Sequence, residues 1–183
     1  MIYHPIDLTK RWIKSVVLDL NLCPFAHKVF EESQINYVLF EGNDLSKLTN
    51  VLWKELSVLA FDEEVNFTTS FIILKDLGGD FFDYLDIVEY ANDILNDSEA
   101  SDLIQIAEFH PDYMFQGTQP NDVENYTNRA PFPMLHLLKE KEVSNALKNY
   151  TNPEKIPSQN IQKMNNLGWE GIHQILKKIY DPE

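Results

Sequence analysis

The order of apolar and polar positions divides the chain into helices and strands of ordinary length. Over residues 7–21 the apolar side chains of Leu8, Trp12, Ile13, Val16, Val17 and Leu20 recur on one helical stripe, with Asp7 as candidate N-cap. Pro24 suits the first position of a second helix, which would bury Phe25, Val29 and Phe30. The two make a helical hairpin. Residues 35–41 alternate, as a half-buried strand does. Asn43-Asp44 opens a helix to about residue 61 with Leu45, Leu48, Leu52, Leu56 and Leu59 on its inner face. Residues 67–74 end in a continuous apolar run, the pattern of a strand near the middle of a sheet. Gly78-Gly79 breaks the chain. A helix over 80–96 and a third strand over 103–109 follow.

This order, β-α-β-α-β after a helical hairpin, predicts an α/β (or α+β) fold with a small sheet of three to four strands. Residues 113–118 offer a fourth strand, turned back through Pro111-Asp112. Between residues 110 and 133 the periodicity stops amid five prolines and glycines, and a loop of that length inside a domain is often functional. A helix from Pro133 or Met134 to about residue 148 is expected next, then two helical pieces flanking Gly168 and packed on the sheet. No repeat or linker divides the chain, so residues 1–183 read as a single domain.

Composition narrows the function more by exclusion. Cys23 stands alone, so no internal disulfide forms, and a reducing, cytoplasmic setting is expected. The N-terminus carries no secretory pattern, and no apolar run approaches the ~20 residues a membrane helix needs. A net charge of −14 argues against nucleic acid or an anionic membrane as partner. Of 15 basic residues only Arg11 and Arg129 are arginine. Against that lysine background each arginine invites a reason, and its rigid fork suits a carboxylate or phosphate.

Three clusters could carry chemistry. In the first, Asn21-Leu22-Cys23-Pro24-Phe25, the thiol falls at the expected helix N-cap, where free N–H groups favour thiolate. His27 follows one turn later. The second, His110-Pro111-Asp112-Tyr113, lies just beyond a strand end, where α/β sheets bind ligands. The third runs from Asn125 to His136. Arg129 sits there among amides and prolines before an expected helix, and His136 would be neutral in its first turn. Each has a plain alternative: a small buried cysteine, a Pro-Asp turn, and an arginine that binds loop carbonyls to hold the loop rigid. No P-loop, Gly-x-Gly-x-x-Gly, His-Glu-x-x-His or paired-cysteine motif is present, and any cofactor is left unknown by the sequence.

These clusters, Asn-Leu-Cys-Pro-Phe, Phe-His-Pro-Asp-Tyr and Asn-Arg-Ala-Pro-Phe-Pro-Met-Leu-His-Leu-Leu in that order, resemble the bacterial family known as domain of unknown function 1415. The resemblance spans roughly residues 12–168. It implies that the three segments belong together, and it brings no reaction with it. Where the family usually has Ser and Tyr this chain has Ala130 and Phe132, so hydroxyls there are not required. Lys139 stands where an arginine is common.

The leading expectation is an enzyme acting on a small anionic metabolite. Cys23 is its nucleophile, His110 or His136 its base and Asp112 the orienting carboxylate. Arg129 and Asn128, with Tyr113 beside them, hold the substrate. A second expectation is a zinc-type metal site drawn from His110, Asp112, His136 and Cys23, or His27. A third is a non-catalytic binding protein whose motifs lock the loop onto the hairpin.

Overall fold

The computed structural model describes residues 3–148 and 150–181. It is a mixed α/β structure. Helix α1 (Pro5–Trp12) begins at Pro5, with His4 ahead of it, two residues before the expected cap. It continues into a π-helical segment (Ile13–Leu18), seen in the Asp19 N–H to Lys14 and Leu22 N–H to Val17 hydrogen bonds. After a left-handed turn at Asn21 come α2 (Ala26–Glu31) and β1 (Ile35–Phe40). Then follow α3 (Leu45–Phe61), β2 (Thr69–Leu74), α4 (Phe81–Asn96) and β3 (Ile104–Phe109). Asp44 and Asp80 cap α3 and α4, each accepting from two backbone N–H groups. Past a long loop with one 3-10 turn (Val123–Thr127) come β4 (Met134–Lys139), α5 (Glu140–Leu147) and α6 (Ile156–Tyr180).

The sheet has the order β1-β2-β4-β3. β1 and β2 are parallel, and β4 runs antiparallel to both β2 and β3. The expected β-α-β-α-β core is therefore present, with a reversed strand inserted between its second and third strands. Helices cover both faces. Leu48, Leu52, Leu56 and Leu59 of α3, and Tyr84, Ile87 and Ala91 of α4, bury one face over Ile72, Leu74, Leu135 and Leu137. On the other face Trp12, Ile13 and Val16 pack with Met164, Ile172 and Ile179 of α6 over Phe71, Ile73 and Met134.

One expectation is corrected here, and one assignment the sequence leaves open is decided. Residues 134–139 form a strand where a helix was expected. Met134 to Leu138 are all buried because β4 is central and covered on both sides. A two-sided apolar run carries no alternation to separate strand from helix, and Pro133 fits the entry to either. Residues 113–118 form no strand. The fourth strand is β4 instead.

Charge is distributed unevenly. Residues 76–128 hold 13 of the 29 acidic residues and none of the 15 basic ones, so the remainder is nearly balanced. Four of these 13 lie on α4, which exposes Asp83, Asp86, Glu89 and Asp93. Among the described residues no helix is long and apolar enough to cross a membrane.

Candidate functional site

The first and third clusters meet at a pocket, though not as a catalytic triad, and of the second only the preceding residue, Phe109, reaches it. A pocket of about 470 Å³ opens where the hairpin, the end of β3 and the start of α6 come together. Leu22 and Cys23 line it from the first cluster, Phe109 from the end of β3, and Asn128 from the third cluster. Val17, Phe115 and Thr127 complete the body of the wall, and Ile156, Pro157, Asn160 and Ile161 of α6 form its outer side. The size suits a small organic ligand. The lining is apolar except for the thiol, a threonine and two amides, and it includes no charged side chain.

Cys23 is half-buried at this pocket. Helix α2 starts at Ala26, so Cys23 precedes the helix instead of capping it, and Pro24 lies in the entering turn. Burial pushes the thiol pKa up, while the backbone N–H groups of Phe25 and Ala26 pull it down more weakly. This reverses the expectation of a ready thiolate. His27, one turn on, is exposed.

His110 is fully buried and fully bonded. Its Nδ1 accepts the Asp112 N–H (3.0 Å), which leaves Nε2 as the protonated nitrogen donating to the Gly78 carbonyl (2.9 Å). Its ring packs between Phe81 and Tyr84 of α4. Desolvation lowers its pKa. The Pro-Asp turn thus uses His110 as an anchor, and Asp112 contributes its backbone while its carboxylate is exposed. Tyr113 is buried nearby, its hydroxyl directed at Glu108 (3.4 Å).

His136 projects from β4 onto the opposite face, stacked on Phe71 with ring centroids 3.8 Å apart. The Thr69 hydroxyl donates to the Leu137 carbonyl (2.6 Å) and so accepts from His136 Nε2 (2.7 Å). Nδ1 has no partner among the described residues, and burial drives the pKa down to about 3. His136 is neutral as expected, but the cause is desolvation in a strand, not a helix N-terminus. Phe109, in the pocket wall, packs against both His136 and Trp12, whose indole Nε1 is likewise unpartnered among the described residues.

Arg129 turns away from the pocket. Its Nε donates to the Tyr113 carbonyl (3.0 Å) and its Nη2 to the Pro120 carbonyl (2.8 Å), while the guanidinium lies 4.6 Å from the Tyr126 ring centroid. No helix follows it to complete an anion site. The fork clamps the loop, as the plainer reading of the arginine held. Asn125, which the sequence reading placed in the third cluster but gave no role, does the same from inside. It is fully buried, accepts from Phe115 N–H and Thr118 Oγ1, and donates to the Gln119 carbonyl. Asn128 donates to the Glu108 carbonyl (3.2 Å) and keeps one edge on the pocket.

The expected metal set does not assemble. His110 and His136 occupy opposite faces of the sheet, and neither lines the Cys23 pocket. Among the described residues no three His, Cys, Asp or Glu side chains gather as ligands. Sequence reasoning missed Asn160 and the α6 side of the pocket altogether. Nothing in the pattern of that amphipathic helix marks Ile156 or Asn160 as facing a cavity.

A family described as Protein of unknown function (DUF1415) matches residues 4–174 of the 183-residue chain. No curated protein and no solved structure matches it.

Proposed function

Because the chain belongs to the DUF1415 family, we propose its role from the chemistry of the pocket: it binds a small, uncharged, largely apolar molecule at the Cys23 site. The observation that carries this reading is convergence. Segments far apart in sequence, each part of the family resemblance, contribute Leu22, Cys23, Phe109 and Asn128 to one neutral cavity. The apolar wall supplies burial, and Thr127, Asn128 and Asn160, each bonded once or more within the protein, keep spare hydrogen-bonding capacity for a polar group of the ligand. The anionic metabolite expected from Arg129 finds no cation in this lining, and burying an unpaired anion there would be costly.

The test is protection of Cys23. A neutral apolar fluorophore such as Nile red should bind, and saturating it should slow iodoacetamide labelling of Cys23 several-fold. Binding that leaves the labelling rate unchanged would place the ligand elsewhere and end this reading.

A second reading keeps the enzyme. The N–H groups of Phe25 and Ala26 face the sulfur and would stabilise a thiolate once formed. Cys23 then adds to a polarised carbonyl carbon of the bound molecule: the S–C bond forms, the C=O π pair moves to oxygen, and that oxygen takes the thiol proton directly or through water, since no histidine lines the pocket. Turnover that persists in Cys23→Ser at the full rate would exclude it.

A further inference from the structure

We propose that residues 153–163, the start of α6 with the turn before it, are a lid over the pocket, hinged at Gly168 and latched to the loop that carries Cys23. This rests on the reading of the pocket as a ligand site and adds how the site opens. Ile156, Pro157, Asn160 and Ile161 all come from this segment and form the outer wall. Left-handed backbone brackets it on both sides. Asn152 has φ 64° and ψ 62°, and Gly168 has φ 63° and ψ −178°, a combination essentially restricted to glycine. Gly168 therefore divides α6 into two mechanically separate halves.

The halves are held differently. After the hinge, Ile172 and Ile179 are buried among the hairpin side chains. Before it, Met164 and Leu167 seat the foot of the lid on the same cluster, but no residue from 153 to 163 is buried. Two hydrogen bonds close the rest. Asn160 Nδ2 donates to the Leu22 carbonyl (2.7 Å) and Lys163 Nζ donates to the Asn21 carbonyl (2.6 Å). Both acceptors lie in the two residues before Cys23, in the left-handed turn at Asn21. Opening about Gly168 breaks these two bonds and lifts Met164 and Leu167 off the cluster, leaves Ile172 and Ile179 in place, and uncovers the thiol. Few buried contacts and exposed hydrogen bonds are the features of a segment that opens locally.

Cys23 is itself the reporter. Iodoacetamide labelling of the full chain is followed by mass spectrometry together with amide hydrogen exchange. Asn160→Ala/Lys163→Met should label about tenfold faster, the size expected for two lost hydrogen bonds. Exchange should quicken over 154–163 and stay unchanged in β4. Lys163→Met alone, at a partly exposed side chain outside the pocket lining, should give a smaller change in the same direction and covers the case that the double variant does not fold. Labelling at the wild-type rate, or labelling that rises in step with β4 exchange, would overturn the lid. Nile red separates the two proposals. If latch variants label faster but the dye never binds, the lid stands without the ligand role. If the dye protects Cys23 and the latch variants label as wild type does, the pocket stands without the lid.

Discussion

At the scale of single residues, each histidine in the motifs is occupied with structure. His110 bridges the Gly78 carbonyl and the Asp112 N–H inside an aromatic cage. His110→Ala should therefore cost about 2–4 kcal/mol in urea unfolding, from two lost hydrogen bonds and a cavity. Asp112→Ala should stay within about 0.5 kcal/mol, because only its backbone is used. If the carboxylate oriented a catalytic histidine, the pattern would reverse: stability kept and activity lost. His136 adds a pH dependence whose sign is fixed. Its pKa is about 3 in the fold against 6.5 in the unfolded chain. Between those values the unfolded chain binds more protons, so stability rises with pH and is lost on acidification. At pH 5 the loss from this group is about 2 kcal/mol. His136→Phe, which can keep the stack on Phe71, should flatten the midpoint-versus-pH curve between pH 4 and 6.5; an unchanged curve would assign the slope to other groups. The Cys23 thiol should label with a half-point above its ordinary value, since burial outweighs the two N–H groups. The sequence made these residues visible as unusual clusters. It left their roles open, because a buried anchor and a catalytic base draw on the same residue types, and only the neighbours distinguish them.

At the scale of elements, the loop between β3 and β4 owes its rigidity to Arg129 and Asn125. Arg129→Lys keeps the charge but loses the fork and the stack on Tyr126, so the loop should loosen. Faster exchange at the Tyr113 and Phe115 amides, with weaker probe binding at the neighbouring pocket wall, is the expected result; unchanged exchange would show that Asn125 alone suffices. The helices α3 and α4, and strands β1 to β3, were legible because their apolar residues repeat with a helical or alternating period or lie in a short bounded run. β4 was not legible as a strand. Met134 to Leu138 touch helices on both faces of the sheet, and that erases the periodic signal. The misassigned element also displaced the site, since an anion-binding helix terminus after Arg129 existed only if residues 134–139 were helical.

At the scale of the whole molecule, the charge lies largely in one part of the chain. Neutralising Asp83, Asp86, Glu89 and Asp93 on α4 should weaken retention on an anion-exchange surface more than neutralising four acidic residues outside 76–128, because all 15 basic residues lie in that remainder. Equal shifts would show that the field is averaged over the surface. The sheet order carries a different implication, for the way the chain is made. β4 supplies hydrogen-bond partners to both β2 and β3, yet it is the last strand to be synthesised. During synthesis β1 and β2 can pair, while β3 has no neighbour until residue 139 has emerged, and its apolar side chains must wait. Closure of the sheet is then a late, long-range event that couples the two halves of the chain in one step. A chain cut at residue 130 should hold the β1-β2 pair at most, and it should be the aggregation-prone form of this protein.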